Sequence, residues 1–452
     1  MNTACLLVLP FVGLLAADQP PGEFYRVGTG RVDITPEGPI WLAGYGDRKK
    51  PSEGVEQHLF AKALAIRHGE DPPVVLITAD IIGFPRRVAE TIAGRIASEL
   101  KVPRERVMLV ASHTHTGPVV AGRPVLMFDL ETRDLEAVTR FTRELEDKCF
   151  RAAQEAISGM RPGRISLGRG TASFAVNRRV FRPGGVDFGV NRDGPVDHSV
   201  SVLRVAGPDG RPRAIVFGYA CHCTTLTGDC YRISGDWAGY AEDYLERAHP
   251  EATAFFVTGC GADANPHPRG ELAFAREHGL EMAGAVAQVM KGPRIPIAGP
   301  ITAVFERVEL PYTKPPTREE YERRLKDKSP FVRRHARAQI ETIDRDGKLP
   351  SGYPCPVQVW QFGKDLTLAA LGGEVVVDYA LRLKREYAGR NLWVAGYAND
   401  VFAYVPSVRI LLEGGYEADF NLTYYGLPTR FSNDVEEVLI KEVHELIERV
   451  SR

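Results

Sequence analysis

The 452-residue chain lacks an excess of either charge, because 57 lysines and arginines stand against 58 aspartates and glutamates, for a formal net charge of −1. Without a basic excess, it lacks the electrostatic footprint of a nucleic-acid-binding protein. It also lacks internal repeats and low-complexity segments, and it has no GxSxG motif, the nucleophile elbow of many serine hydrolases. These absences leave a globular protein whose chemistry rests on other residues.

Cysteine is scarce, with 7 residues in the whole chain. A chain of this length needs no disulfides to hold a core together. Cys221 and Cys223 flank a histidine in the sequence CHC, but no second closely spaced pair completes a structural zinc site. Two interpretations stay open. The cysteines are small core residues, or Cys221 or Cys223 forms a local disulfide with Cys230.

An apolar run lies at the N-terminus, where residues 4–17 read ACLLVLPFVGLLAA. The run is too short to span a bilayer. It resembles a secretory signal peptide with small residues near the cleavage point, although no positively charged residue precedes it. We expect residues 1–17 to be a signal peptide and the protein to be secreted or periplasmic. The alternative is a buried or disordered tail.

Apolar segments typical of strands alternate with amphipathic segments typical of helices. Residues 72–80 predict a buried strand, and residues 86–100 place Val88, Ile92 and Ile96 on one face of a helix. The pattern predicts an α/β fold with mixed β-sheet layers covered by helices, in a single domain over residues 24–452. Further strands are predicted at 107–115, 214–222, 252–259, 357–362, 366–371 and 392–397, and further helices at 141–158, 237–249, 271–291, 317–345, 374–388 and 433–450. We interpret the arginine-rich helix 317–345 as a solvated face, with a lid as the alternative.

Unusual residues lie at the strand ends, where α/β folds commonly bind ligands. Residues 111–118 read ASHTHTGP, and in an extended strand His113 and His115 would face the same side. His222 closes another predicted strand, and Glu374 follows two glycines and opens a predicted helix. Scattered ligands of this kind suit a catalytic zinc with a position left for water. A strand-end histidine is also common as a hydrogen-bonded core residue, so spacing alone leaves both options open.

Eight short segments occur in the order found in the neutral/alkaline (non-lysosomal) ceramidases, which this sequence resembles from residue 27 to about residue 426. The segments are VGTGRVDITP with AGYG, SHTHTGP, AVNRR, YACHCTTL, ISGDWAGYA, VTGCGADANP, LGGE, and GYANDVFAYVPS with GGYE. The resemblance implies a zinc-dependent amidohydrolase that cleaves an N-acyl amide bond of a ceramide-like lipid. The nucleophile would be water activated by Zn²⁺.

The resemblance also implies roles for single residues at the positions that match the family's motifs. The implied zinc ligands are His113, His222, Glu374 and Tyr404. The implied catalytic residues are His115, which moves protons, Tyr416, which polarises the substrate carbonyl, and Arg178, which lines the site. Because Arg179 is adjacent to Arg178, either arginine could point inward.

The sequence departs from the family in two respects. The family carries a further C-terminal β-sandwich domain, which we expect this chain to lack. A serine has been proposed as a nucleophile in family members near VTGCGADANP, where this sequence reads TGC, so we favour activated water over an acyl-enzyme. We expect an N-acyl amide substrate, either a small molecule or a lipid, with peripheral membrane contact and no nucleic acid or obligate protein partner. The alternatives are a zinc esterase or amidase for a non-lipid substrate, and a non-catalytic binding protein on the same fold.

Overall fold

The computed structural model describes residues 25–122 and 126–452, so the predicted signal peptide at residues 1–17 lies outside the described residues. The strands are β1 Tyr25–Asp33, β2 Gly54–Val55, β3 Phe60–Arg67, β4 Val74–Ala79, β5 Val107–Ala111, β6 Arg161–Thr171, β7 Ala175–Arg182, β8 Gly185–Asn191, β9 Ser199–Ala206, β10 Pro212–Tyr219, β11 Arg232–Ile233, β12 Thr253–Thr258, β13 Ala264–Pro266, β14 Ile295–Ile297, β15 Ile301–Pro311, β16 Gly352–Phe362, β17 Leu366–Leu371, β18 Glu374–Val375, β19 Leu392–Ala395 and β20 Tyr404–Val405. The helices are α1 Arg86–Leu100, α2 Thr132–Ser158, α3 Asp236–Ala248, α4 Leu272–Lys291, α5 Arg318–Arg324, α6 Pro330–Asp346, α7 Val377–Glu386, α8 Val408–Glu413, α9 Leu422–Tyr425 and α10 Val435–Ser451.

Two sheets form the centre of the fold. Among the described residues, the main sheet has nine strands in the order β12-β10-β9-β6-β1-β3-β4-β5, with β14 attached to β6, and the second sheet has the order β15-β16-β17-β19. Most neighbours are antiparallel, but β4–β5, β10–β12 and β17–β19 are parallel pairs. The predicted α/β class with mixed sheet layers is therefore confirmed.

Helices cover the outer face of each sheet. Along β4, Val75 and Ile77 join a core with helices α1 and α2, whereas Leu76 joins a second core between the two sheets. This division follows from the alternation of side chains in a strand. Because both faces are covered, β4 is a nearly continuous apolar run, interrupted by Thr78, rather than an alternating one. Helices α3 and α4 cover the other end of the main sheet, and α7 and α10 cover the second sheet.

Several predicted boundaries are wrong. The strand predicted at 107–115 ends at Ala111, helix α2 begins at Thr132 rather than at residue 141, and the helix predicted at 317–345 is two helices, α5 and α6. Helix α7 begins at Val377, so Glu374 does not open it but lies in the short strand β18. Local periodicity does not register such boundaries, although Pro330 at the N-terminus of α6 is a local signal for one of them.

The cysteines of the described residues form no disulfide. The six cysteines of the described residues are free, and all except Cys230 are buried. The predicted local bridge from Cys221 or Cys223 to Cys230 is therefore wrong, and the five buried cysteines are small core residues, as the other interpretation held. No helix among the described residues has the length and apolar character needed to cross a membrane.

Candidate functional site

The predicted site residues come together at the carboxyl ends of the parallel strand pairs. His113 follows β5, His222 follows β10, Glu374 lies in β18 after β17, and Tyr404 lies in β20 after β19. Strands β18 and β20 pair in parallel, with Glu374 directly opposite Tyr404. The four side chains are buried, at 3% relative exposure or less. Widely separated parts of the chain thus meet at one edge of the sheets.

The two histidines of the HTH sequence lie close together because the chain turns there, not because they share one face of an extended strand. His113 has a φ of 61°, in the left-handed region, so the chain turns sharply after β5. The backbone N–H of His113 donates to Ile81 O at 3.0 Å, and that of His115 donates to Cys223 O at 3.2 Å. These bonds tie the turn to neighbouring segments and bring Nε2 of His113 and His115 to 3.2 Å from each other.

The polar atoms of the candidate ligands converge within a few ångströms. Glu374 Oε2 lies 3.1 Å from His113 Nε2 and 3.2 Å from His222 Nε2. Tyr404 Oη lies 3.3 Å from His222 Nε2. One ring nitrogen from each of His113, His115 and His222 also lies within 4.8 Å of the others, an arrangement that could hold a metal ion. The four predicted ligands and this three-histidine group share His113 and His222.

Backbone carbonyls fix the tautomers of two of the three histidines. His113 Nδ1 donates to Ile82 O at 2.5 Å, and His222 Nδ1 donates to Gly261 O at 2.8 Å. Because a carbonyl can only accept, each Nδ1 carries the hydrogen and each Nε2 presents a lone pair to the cluster. This is the pattern of metal-binding histidines. His115 differs, since its buried Nδ1 has no hydrogen-bond partner among the described residues.

Burial and charge shape the protonation of the cluster. Burial, reinforced by the positive charge of Arg178, lowers the pKa of His222 to about 4. Burial and the neighbouring His113 and His222 hold the pKa of His115 well below its usual range. Burial opposes ionisation of Glu374, but the adjacent imidazoles outweigh it and hold its pKa well below the usual range. The lowered pKa values favour neutral His115 and His222 beside an ionised Glu374 carboxylate.

The donor atoms of the cluster fit a divalent cation. Glu374 Oε2 is buried and has no hydrogen-bond partner among the described residues, although two imidazole nitrogens face it at 3.1 and 3.2 Å. Lone pairs facing each other at this distance repel unless a proton or a cation lies among them. Two imidazole nitrogens, a carboxylate oxygen and a phenol oxygen include the ligand types that zinc binds, with the phenol being the unusual one. The site can therefore hold a metal ion, and its donor set does not by itself identify which one.

An apolar cavity of about 110 Å³ opens beside the cluster. His113, His115, Glu374, Tyr404 and Tyr416 form its polar side. Most of the other lining residues are apolar or aromatic. The full set of these other residues is Ala43, Gly44, Ile82, Gly83, Pro85, Val119, Val120, Leu126, Met127, Phe128, Val401, Tyr424 and Tyr425. A concave apolar wall with a few convergent polar groups is typical of a small-molecule binding site.

Both adjacent arginines point inward. The register between β7 and β8 shifts between Asn177 and Arg179, which marks a β-bulge, and bulges re-aim side chains. Arg178 donates from Nη2 to Tyr404 Oη at 3.0 Å, and its Nη1 lies 3.2 Å from His222 Nε2. Arg178 contacts the cluster from behind and is not among the residues that line the cavity. Its role as a residue that lines the site stays a prediction.

Tyr416 lies in a π-helical turn, Tyr416–Phe420, that follows two glycines with positive φ, Gly414 and Gly415. Its ring centroid is 5.3 Å from that of Tyr404 and 5.0 Å from that of Phe188. Turns of this type are frequent at functional sites. The structure thus brings all seven predicted site residues into one region, while their catalytic roles stay predictions.

Sequence reasoning missed three residues of this region. Tyr425 donates a short hydrogen bond to Glu374 Oε1, and Glu417 binds both arginines. Tyr397, with a φ of 54°, packs its ring 4.5 Å from that of His113. The acid of GGYE was a visible signal for Glu417, because it adjoins Tyr416. Nothing in the local pattern distinguished Tyr425 from its neighbour Tyr424.

The arginine-rich helix α6 packs against the cavity wall, so its interpretation as a solvated face is wrong for its inner side. Arg334 Nε donates to Leu126 O at 2.7 Å, and His335 Nε2 donates to Leu427 O at 2.7 Å. The ring of Phe331 lies 5.0 Å from that of Tyr424. Helix α6 therefore holds two of the segments that form the wall.

The site is therefore a candidate metal centre that lies beside an apolar cavity, in an α/β fold with mixed β-sheets. The chain belongs to the neutral/alkaline non-lysosomal ceramidase family, whose N-terminal model matches residues 25–279. The resemblance inferred from the short segments is thereby confirmed.

Individual relatives are distant. The chain is 25% identical to the neutral ceramidase of Pseudomonas aeruginosa over 391 residues, which is 82% of this chain and 55% of that protein. It is also 25% identical to the neutral ceramidase of Mycobacterium tuberculosis, over 88% of this chain and 74% of that protein. The crystal structure of the Pseudomonas aeruginosa enzyme matches with a TM-score of 0.71 at 22% identity, over 94% of this chain and 75% of that one. The last comparison establishes a shared fold.

Proposed function

We propose that this protein is a zinc-dependent amidohydrolase that cleaves the N-acyl amide bond of a ceramide-like lipid. The proposal rests above all on one observation. Two imidazole lone pairs face a carboxylate oxygen at 3.1 and 3.2 Å, beside an apolar cavity, and that oxygen has no hydrogen-bond partner in the described part of the chain. Membership of the ceramidase family and two relatives named neutral ceramidase support the choice of reaction.

His113, His222, Glu374 and Tyr404 would hold the ion. Zinc bound there would supply a Lewis acid and lower the pKa of a water molecule to about 7. The chain prepares the ligands in advance, because Ile82 O and Gly261 O orient the two imidazoles. Tyr425 orients the carboxylate of Glu374 in the same way, through Oε1. Such outer contacts commonly fix ligand geometry and basicity.

His115 is the residue that moves protons in this proposal. It lines the cavity, and its Nδ1 has no partner among the described residues, unlike the Nδ1 atoms of His113 and His222. A ring that is not locked by a carbonyl is free to take up a proton at one stage and to give it to the leaving amine later. This difference favours two histidine ligands and one proton carrier over three histidine ligands.

Tyr416 polarises the carbonyl of the scissile amide in this proposal. Burial raises the pKa of its phenol, so the hydroxyl keeps its proton and serves as a hydrogen-bond donor. Donors aimed at the developing oxyanion are among the strongest contributions to catalysis of acyl transfer. The apolar walls of the cavity, including Val119, Leu126 and Phe128, suit an acyl chain.

Metal analysis tests the centre directly. We expect the purified wild type to contain one zinc per chain, and His113→Ala to contain none, because that variant loses one of the converging nitrogens. His58→Ala is the matched control, since His58 is an exposed histidine that contacts Asp33 and Thr35 outside the site. It should keep its zinc. Absence of zinc from the wild type would favour a non-catalytic binding protein.

Release of fatty acid from an N-acyl sphingosine tests the reaction. We expect turnover by wild type and His58→Ala, and none by His113→Ala. Bound zinc without turnover would retain the metal centre and reject ceramide. It would favour an esterase or an amidase for a non-lipid substrate.

We also propose that the protein is exported and contacts a membrane surface only peripherally. This rests on the apolar run at residues 4–17 and on the lipid nature of the proposed substrate. Expression in a bacterial host, followed by N-terminal sequencing of the secreted or periplasmic fraction, should give a chain that begins shortly after Ala17. A full-length chain confined to the cytoplasm would contradict the export proposal.

A further inference from the structure

A buried carboxylate that the proposed chemistry does not use lies behind the candidate metal centre. Glu417 is 1% exposed and follows Tyr416 in the π-helical turn. Its Oε1 accepts a hydrogen bond from Arg178 Nε at 2.8 Å, and its Oε2 accepts one from Arg179 Nη1 at 2.5 Å. Each oxygen therefore holds a different arginine. Charged hydrogen bonds of this kind are strong and specify geometry.

The far edge of Arg178 lies against the candidate ligands. While Nε binds Glu417, Nη2 donates to Tyr404 Oη at 3.0 Å and Nη1 lies 3.2 Å from His222 Nε2. A guanidinium group is planar and rigid, so a carboxylate that holds one edge sets the direction of the other. The position of Glu417 thus determines where the cation of Arg178 stands relative to Tyr404.

Charge balance gives Glu417 a second effect. Arg178 and Arg179 are balanced by Glu417 and by Glu413, which binds Arg179 at 3.0 Å. Loss of the carboxylate charge at Glu417 would leave an uncompensated cation in contact with His222 and Tyr404. An unbalanced buried cation next to these groups would disfavour a bound dication.

We propose that Glu417 is a positioning residue for the metal centre: it clamps Arg178 against Tyr404 and offsets the arginine charge that would otherwise weaken metal binding. The inference rests on the proposed function, because it takes His222 and Tyr404 as ligands. Glu417 acts through Arg178 and does not line the catalytic cavity.

The test compares Glu417→Gln with Glu413→Gln. Both substitutions remove one carboxylate charge next to Arg179, but only Glu417 also binds Arg178. We expect Glu417→Gln to weaken zinc affinity about 10- to 100-fold in competition with a chelator. We also expect it to lower kcat while KM stays unchanged. Glu413→Gln should lower zinc affinity and kcat clearly less than Glu417→Gln does, because Glu417 still holds both arginines in that variant.

A third variant separates positioning from charge balance. It also serves as the test if Glu417→Gln alone fails to fold. Glu417→Gln combined with Arg179→Met restores neutrality, yet it leaves Arg178 without its carboxylate. We expect low kcat to persist in this variant. Recovery of kcat and zinc affinity would show that charge balance alone matters and would overturn the positioning role.

Other outcomes also decide the inference. Zinc affinity and kcat of Glu417→Gln at wild-type values would overturn it, as would equal losses in Glu413→Gln. A wild type that binds zinc but cleaves no N-acyl substrate would reject only the proposed function. The zinc affinities of the two variants would then still decide the role of Glu417.

Discussion

Two buried charge networks in this protein differ in what their members contact. In the lysine cluster, Lys62 Nζ binds Glu242 at 2.8 Å, Glu246 at 2.9 Å and the carbonyl of Ala254 at 2.9 Å. In the arginine cluster, defined as Arg178, Arg179, Glu413 and Glu417, Arg178 binds the carboxylate of Glu417 and also contacts the candidate metal ligands. Both networks are largely buried, yet only the second contacts groups suited to chemistry.

The lysine cluster is a structural tie. Lys62 lies on β3, and Glu242 and Glu246 lie on α3. Glu242 Oε1 accepts from the backbone N–H of Phe256, and Glu246 Oε1 accepts from that of Ala254, both on β12. All of these contacts end on the backbone or on another member. Buried charge therefore does not identify a functional site, whereas the chemical nature of the groups contacted does.

The largest expected effect is a loss of stability without a change in kcat, and it is expected at the lysine cluster. Lys62→Met removes the cation that binds buried Glu242 and partly buried Glu246, and breaking a buried pair of this kind typically costs about 3–5 kcal/mol of unfolding free energy. Urea unfolding measures this loss. Because the cluster does not contact the site, the kcat of the folded fraction should not change. A large fall in kcat with normal stability would remove the distinction between the two clusters.

The corresponding substitution in the arginine cluster should lower kcat. Arg178→Met removes the cation that donates to Tyr404, and we expect kcat to fall about 100-fold, at the upper end of effects for residues that support metal ligands. Steady-state kinetics and zinc content measure the change. Arg182→Met is the control, because Arg182 lies at the exposed end of the same strand and contacts Asp187. Unchanged kcat in Arg178→Met would contradict the comparison.

The pH dependence of the unfolding free energy of the metal-free protein gives a further test of this comparison. Folding lowers the pKa of His222 from 6.5 to about 4, so the unfolded chain binds the proton more tightly. The stability from neutral His222 is complete above about pH 6.5 and is lost as the pH falls toward 4. The loss is about 1.4 kcal/mol per pH unit inside this window.

Urea unfolding at several pH values, after chelator treatment, measures this slope. His222→Asn should reduce it, because the titrating group is absent. An equal slope in both proteins would assign the pH dependence to other groups, His115 first among them, because its pKa is lowered for similar reasons.

The smallest effect is expected at the cavity wall. Arg334→Met removes hydrogen bonds from α6 to Leu126 O and Met127 O, each worth about 1 kcal/mol. We expect a rise in KM for long N-acyl chains with kcat unchanged. Arg345→Met is the matched control on the same helix, since Arg345 is exposed and contacts only Asp346 in the described hydrogen-bond set. Equal kinetics in both variants would contradict a role of α6 in shaping the cavity.

Much of the fold was predictable because strands and helices leave local periodic patterns. The helix at 86–100 and the strand at 366–371 occur at the predicted bounds. Strands such as β6–β9 were not predicted, since glycine and polar residues interrupt their apolar residues and they lack a continuous apolar run. The break between α5 and α6 was missed although the sequence marks it locally, with Ser329 and Pro330 at the start of α6.

The candidate site was predictable in its membership but not in its geometry. Short motifs and their resemblance to a family identified His113, His222, Glu374 and Tyr404. Local pattern did not predict the left-handed backbone of His113 or the bulge that turns Arg178 inward. Both departures from regular strands depend on hydrogen bonds to segments elsewhere in the chain.

By itself, the sequence determined the alternation of strands and helices, the placement of polar residues at strand ends, and the family. Only the tertiary structure decided which side chains meet. Glu417 and Arg178 are 239 positions apart in the sequence, and Tyr425 and Glu374 are 51 positions apart. The physical reason is that periodicity reports which face of an element is buried. The partner of a buried polar group depends on how distant elements pack against each other.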